Sequence, residues 1–211
     1  TKVMATTLSV MKLYDEGRLD LNKTLGDYLP WASSVNKGKL VIRDVLLHEA
    51  GLKAFIPFFK ETIDPLDGVP SGAIYAYQPD SLHTVRVAEN LYMRSDYTDT
   101  LYKRILQSEL TPKGKYVYSD NDFIFLGKVV EAITGKTLDQ YTQETFYLPL
   151  SLKFTGFRPR LRFPKNYMAP TEDEPVFRRQ LIQGDVHDPG AAMFGGIAGH
   201  AGLFSNADEL A

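Results

Sequence analysis

Thr1-Lys2-Val3-Met4-Ala5-Thr6-Thr7-Leu8-Ser9-Val10-Met11-Lys12-Leu13-Tyr14-Asp15-Glu16-Gly17 opens the chain with apolar side chains at helical spacing. Val3, Val10 and Tyr14 recur on one face, with Met4, Leu8 and Met11 beside them. The spacing predicts a helix over residues 3–16. Gly17 supplies the left-handed residue that commonly ends one. Thr1-Lys2-Val3-Met4 reads as the inside of an element. Ser205-Asn206-Ala207-Asp208-Glu209-Leu210-Ala211 reads as a helix just beginning. Both ends are therefore expected to be cuts in a longer chain.

Working outward, Arg18 to Pro30 is a short segment with Leu19, Leu21 and Leu25. A second helix is expected over Ile42–Glu49, with Val45 and Leu46 inward and Gly51 as its stop. No Ser, Thr, Asp or Asn marks its start. Residues 53–81 are rich in aromatics, proline and glycine and read as a long ordered loop, of the kind that often serves function. Within it, Phe55-Ile56-Pro57-Phe58-Phe59 reads as a substrate wall in preference to a packing plug. Helices are predicted at Tyr97–Gln107, with Leu101 and Ile105 inward, and at Asp122–Ile133. The latter would bury Phe123, Leu126, Val130 and Ile133 and end at Gly135, with Asp120 as a candidate cap. Thr137-Leu138-Asp139-Gln140 has capping-box spacing, and Ser205-Asn206-Ala207-Asp208 repeats it. Residues 156–196 read as irregular. Few and short strand signals suit mainly one helical lobe of a larger fold.

Composition narrows the function classes. The 211 residues carry a net charge of −2 and no cysteine, and 44% are hydrophobic. Such a chain is not disordered. It shows no basic stripe for nucleic acid and no apolar run long enough to span a bilayer. Disulfides, thiolate metal sites and cysteine nucleophiles are excluded.

Several segments carry a resemblance in a fixed order. Thr1-Lys2 and the helix behind it look like the end of an S-x-x-K motif. Leu13–Leu21 through Pro30 looks like the stretch after that helix. Ile42–Leu52 is similar to an "LLTHTSGL" segment. Tyr118-Ser119-Asp120, then Phe125-Leu126-Gly127 and Thr134-Gly135, look like a Y-x-N motif and its helix. Pro149-Leu150 with Thr155-Gly156-Phe157 resembles a "PLGM…TGF" turn, and Gly199–Ser205 an "AGGL-S-T" entry. Together they resemble the penicillin-recognising serine hydrolases, the superfamily of β-lactamases and D-alanyl-D-alanine peptidases.

The resemblance implies an α+β, β-lactamase/transpeptidase-like fold. Residues 1–211 would form a partial domain of it, mainly the helical lobe. It implies a serine nucleophile two positions before Thr1, with Lys2 and Tyr118 as proton carriers. A serine hydroxyl needs such a base at neutral pH, and a lysine three residues on lies one helical turn away. Asp120 stands where the motif has asparagine. A carboxylate only accepts hydrogen bonds and would favour a charged Lys2, which moves the expected substrate from β-lactams toward esters or D-alanyl amides. The later K-T-G or H-x-G motif would lie beyond Ala211, so these residues alone are expected to be inactive. No metal or organic cofactor is implied. The expected partner is a small-molecule or peptidoglycan-derived substrate in the cell envelope.

Alternatives follow from the same residues. The chain could be a non-catalytic peptidoglycan- or ligand-binding module, in a parent fused to a glycoside hydrolase of cell-wall metabolism. Asp185, His187-Asp188 and His200 could be imagined as metal ligands, although they lack metal-ligand spacing. Tyr116 rivals Tyr118. His48 is read as structural, and the glycines of Gly195–Gly202 as serving backbone geometry.

Overall fold

A computed structural model describes residues 1–211. In chain order, a π-helical segment (Lys2–Thr7) runs into α1 (Leu8–Asp15), followed by α2 (Leu25–Tyr28), α3 (Ile42–Leu46), β1 (Tyr75–Ala76), β2 (Val85–Ala88) and β3 (Leu91–Met93). Then come α4 (Tyr97–Gln107), α5 (Asp120–Thr134), α6 (Leu138–Thr142), β4 (Gly156–Phe157), β5 (Pro170–Glu174), β6 (Gln180–Gln183), α7 (Pro189–Met193), β7 (Leu203–Phe204) and α8 (Ala207–Leu210). Helices dominate and strands are short, as the sequence led us to expect. The residues group into two units: Thr1–Ile56, Lys103–Lys153 and Ala198–His200 form the first, and Pro57–Tyr102, Phe154–Ile197 and Ala201–Ala211 the second.

The first unit is built on α5. The π-helical segment, α1, α2, α3 and α6 all pack against it. Asn121 to Gly127, Val129 and Val130 are buried, on every side of the helix. A helix covered all round shows no single apolar stripe, so the spacing located its start imprecisely. It begins at Asp120, and its cap is Ser119, whose hydroxyl accepts from the N–H groups of Asn121 and Asp122. Gly135 closes it at φ 70°. At α6, the Thr137/Gln140 capping box is formed as read. A second box, Thr24 with Asp27, opens the short α2, which the sequence reading left unassigned.

The N-terminal helix buries a different face from the one its apolar residues suggest. Ala5, Thr6, Ser9, Val10 and Leu13 are inside, whereas Val3 is 70%, Met11 59% and Tyr14 55% exposed. Two buried hydroxyls explain the rotation. Thr6 donates to the Gly199 carbonyl at 2.6 Å and Ser9 to the Ala5 carbonyl at 2.7 Å. Satisfied in this way, small polar residues enter a core at little cost.

Helix α3 is shorter than predicted. Ile42 and Val45 are fully buried, but Leu46 is only half-buried. The left-handed exit falls at His48 (φ 59°), three residues before Gly51. Gly51 itself is required by close approach, since a Cβ there would lie 2.3 Å from the Thr111 carbonyl oxygen.

The second unit corrects two further expectations. Residues 53–81 and 156–196 are not wholly irregular. β1, β3 and β2 form an antiparallel sheet in the order β1-β3-β2, β5 pairs antiparallel with β6, and β4 with β7. Pro170-Thr171-Glu172-Asp173-Glu174 has no apolar alternation, so only its ladder with β6 reveals it as a strand. Phe58 is buried and Phe59 half-buried, and both pack on other aromatic rings. Phe58 meets Phe194 edge-on at 6.1 Å, and Phe59 stacks on Phe177 at 5.4 Å. Phe55 is exposed. At α8 the cap is Asn206, which accepts from Glu209 N–H at 2.9 Å, so the cap is one residue later than read. Helix α4 has the predicted bounds and buries Leu101 and Ile105.

One contact in the first unit is especially intolerant. A Cβ at Gly199 would stand 1.9 Å from the Phe123 carbonyl oxygen of α5. A Cβ at Gly17 (φ +69°) would meet nothing within 4 Å. Gly199→Ala is expected to cost about 2 kcal/mol or more through overpacking. Gly17→Ala should cost only about 1 kcal/mol, for its left-handed backbone. Urea unfolding midpoints of the two variants should differ in that order.

Candidate functional site

The first turn of α5 is buried and polar, and its partners come from residues 48–54. Val117 N–H donates to the His48 carbonyl at 2.8 Å, and Asp120 N–H to the Ala54 carbonyl at 2.9 Å. The Ser119 hydroxyl donates to the Lys53 carbonyl at 2.6 Å, and the Asn121 side-chain amide to the same oxygen at 2.7 Å. These bonds lace two loops together and fix the backbone on both sides of Tyr118.

Lys2 meets this loop from the N-terminal segment. Its Nζ donates to Asp120 Oδ1 at 2.7 Å and reaches the His200 carbonyl at 3.4 Å. The ammonium lies 4.7 Å from the Tyr118 ring centroid and 5.9 Å from that of Phe123. Burial pulls the Lys2 pKa down, but hydrogen bonds to Asp120 and Tyr118 and their charges outweigh it, so the ammonium is held above the ordinary lysine value. The structure thus brings Lys2, Tyr118 and Asp120 into one cluster. Tyr116, 67% exposed, instead meets the edge of the His48 ring at 5.8 Å.

The sequence reading missed a second pair beneath this cluster. His48 Nδ1 is 2.6 Å from Asp122 Oδ2, and both residues are buried. The His48 ring lies 4.8 Å from Tyr118 and 5.3 Å from Phe123, centroid to centroid. Burial, aided by Lys2, lowers the His48 pKa against the pull of Asp120. Burial alone pushes Asp122 up to about 8. No motif spacing joins residues 48 and 122. Asp122 reads in sequence as one of the acidic residues that favour a helix N-terminus.

Two members of the imagined metal set have other partners. Both oxygens of Asp185 are taken by Arg86, at 2.8 Å each, and His187 is exposed beside Glu172. The glycines of the 195–202 turn do serve geometry. Gly195, Gly196 and Gly202 have positive φ, and a Cβ at Gly202 would lie 2.3 Å from the Gly196 carbonyl oxygen.

Comparison with known proteins places this geometry in a wider group. The family model described as Beta-lactamase matches residues 1–211. An N-acetylmuramyl-L-alanine amidase of Bacillus subtilis is 34% identical, over 100% of this chain and 46% of its own length. An Escherichia coli K12 protein named as a candidate D-alanyl-D-alanine carboxypeptidase is 33% identical, over 100% of this chain and 47% of its own. The chain spans about half the length of the curated relatives it matches. Among solved structures, the octameric penicillin-binding protein homologue from Pyrococcus abyssi superposes with a TM-score of 0.63 at 20% identity, covering 99% of this chain and 41% of that one. FmtA from Staphylococcus aureus gives 0.57 at 19%, covering 99% and 48%. These likenesses concern the fold, which is β-lactamase/transpeptidase-like. No helix is long and apolar enough to cross a membrane.

The raised Lys2 pKa sets a pH dependence. The folded state holds this proton more tightly than the unfolded one, so the stabilisation is complete below the ordinary lysine value. It is lost as pH rises through the higher folded value. Lys2→Met is expected to flatten the decline in unfolding midpoint above about pH 10, read by denaturant titration across that range.

Proposed function

The chain belongs to the beta-lactamase family, and on that premise we propose that it is part of a serine hydrolase acting through an acyl-serine intermediate on an ester or a D-alanyl amide. The observation that carries this reading is the Lys2–Tyr118–Asp120 cluster, with Lys2 Nζ 2.7 Å from Asp120 Oδ1 and 4.7 Å from the Tyr118 ring centroid. The names of the relatives, an amidase and a candidate carboxypeptidase, support the reaction class. They also support a setting in the cell envelope.

In this reading a serine two positions ahead of Thr1 is the nucleophile. Its hydroxyl oxygen bonds to the substrate carbonyl carbon as its proton passes to the cluster. A lysine that keeps its proton cannot be the acceptor. In this proposal the Tyr118 oxygen, beside the Lys2 ammonium, is the acceptor of the serine proton. The tetrahedral adduct then expels the amine or alcohol, which recovers that proton. Water repeats the sequence in reverse order to free the acid and the serine. Asp120 positions the Lys2 ammonium and keeps the charge there.

The same ion pair favours one second reading, a binding module in which Lys2 and Asp120 neutralise each other and recognise a ligand. Intact mass of the full-length protein with a penicillin separates the two. The enzyme reading expects a mass gain of one ligand, lost in Lys2→Ala and slowed about 10²–10⁴-fold in Tyr118→Phe. It also expects acylation to rise with pH as the Lys2–Tyr118 pair gives up a proton. In Asp120→Asn that rise should move to lower pH, because the carboxylate that retains the proton is gone. No mass gain, and no turnover of esters or D-alanyl peptides, would sink the enzyme reading in favour of the binding module.

A further inference from the structure

Residue 48 holds Tyr118 from both sides. The His48 carbonyl accepts from Val117 N–H at 2.8 Å, and its Nδ1 accepts from Ser119 N–H at 3.2 Å. To do both, the residue sits at φ 59°, a left-handed conformation that costs a non-glycine residue about 1 kcal/mol or more. The ring must also stay in one orientation, and Asp122 Oδ2 at 2.6 Å from Nδ1 is the group beside it.

The position of the proton in that contact follows from valence. A ring nitrogen offers one in-plane site, filled either by a hydrogen or by a lone pair. The Ser119 N–H points at Nδ1, so the site is a lone pair, and any donor on Asp122 shares that one lone pair with Ser119 as a bifurcated acceptor. An ionised carboxylate cannot approach a lone pair to 2.6 Å, and a proton must lie between them. We propose that Asp122 is a neutral carboxylic acid whose O–H donates to His48 Nδ1, and that this buried dyad positions Tyr118 by fixing the amides of Val117 and Ser119.

The remaining surroundings agree. Asp122 Oδ1 is buried without a hydrogen-bond partner. A bare oxygen of that kind is far cheaper for a neutral acid than for an anion. Tyr118, Phe123 and Tyr116 close three sides of the imidazole. The charges acting on the imidazole are Lys2 of the N-terminal segment and Asp120 of α5, which oppose each other. Burial alone acts on Asp122 and favours its neutral form. The dyad is thus uncharged beneath a charged pair. Its effect on Tyr118 chemistry rests on the hydrolase reading. The place of its proton does not.

The test uses the full-length protein. Nitrogen-15 NMR of the His48 ring at about pH 6.5, where ordinary acids are ionised, should show an unprotonated Nδ1 and a protonated Nε2. A protonated Nδ1 would overturn the proposal. The unfolding midpoint gives a second readout. A group whose folded pKa is raised stabilises fully below its unfolded value and loses that stabilisation as pH rises through the folded one. Relative to Asp122→Asn, the wild type should lose stability between about pH 4 and the folded value of about 8. The opposite slope would mean an ionised Asp122. For positioning, Asp122→Asn keeps a donor and should acylate within about threefold of wild type. Asp122→Leu should slow acylation about tenfold or more, with little change in KM. Equal rates in the two variants would remove the positioning role. If the wild type is not acylated at all, the hydrolase reading fails, while the tautomer and the stability slope still decide the dyad.

Discussion

A buried helix N-terminus must find partners for its free N–H groups, and the first turn of α5 adds polar side chains to that demand. Ser119, Asn121 and Asp122 are each 1% exposed or less. Their partners are the hydroxyl of Ser119 itself, the carbonyl of Lys53 and the ring of His48. Meeting the demand ties residues 48–54 to residues 117–121, on the loop that carries Tyr118 and Asp120. The aligned geometry of the cluster follows from this satisfaction of buried polar groups more than from hydrophobic packing.

Two carboxylates two residues apart then meet opposite environments. Asp120 has the Lys2 ammonium at 2.7 Å. Asp122 has no cation beside it, and burial favours its acid form. Titratable groups set in such unlike surroundings are a frequent mark of sites that move protons. The arrangement also limits Lys2. An ammonium held by Asp120 is a source of positive charge for the loop rather than a free amine, which directs the proposed proton traffic to the tyrosine oxygen.

The second unit shows the same economy with charge. Arg86 is clamped by both oxygens of Asp185. The carboxylate of Glu174 accepts the N–H groups of Val176, Phe177 and Arg178. Arg178, buried, gives its guanidinium to the carbonyls of Val186 and His187. In a stretch with few apolar strand residues, such side-chain-to-backbone bonds do the work that a hydrophobic alternation does elsewhere, and they hide the structure from a reading based on periodicity.

Read alone, the sequence determined the helix-dominated composition, the bounds of α4 and the capping box at Thr137, which rest on local spacing. Its resemblance to a known family singled out Lys2, Tyr118 and Asp120 as candidates. Other features needed the tertiary structure. The buried face of the first helix depends on the Gly199 carbonyl that accepts from Thr6. The left-handed turn at His48 after α3 depends on amides some seventy residues further along the chain. The strand at Pro170–Glu174 depends on its partner at Gln180–Gln183. The contacts of Lys2 with Asp120 and of His48 with Asp122 span 118 and 74 residues. Periodicity records which side chains lie on one face of an element. It carries no record of which distant backbone or carboxylate that face will meet, and burial and protonation are set by that meeting.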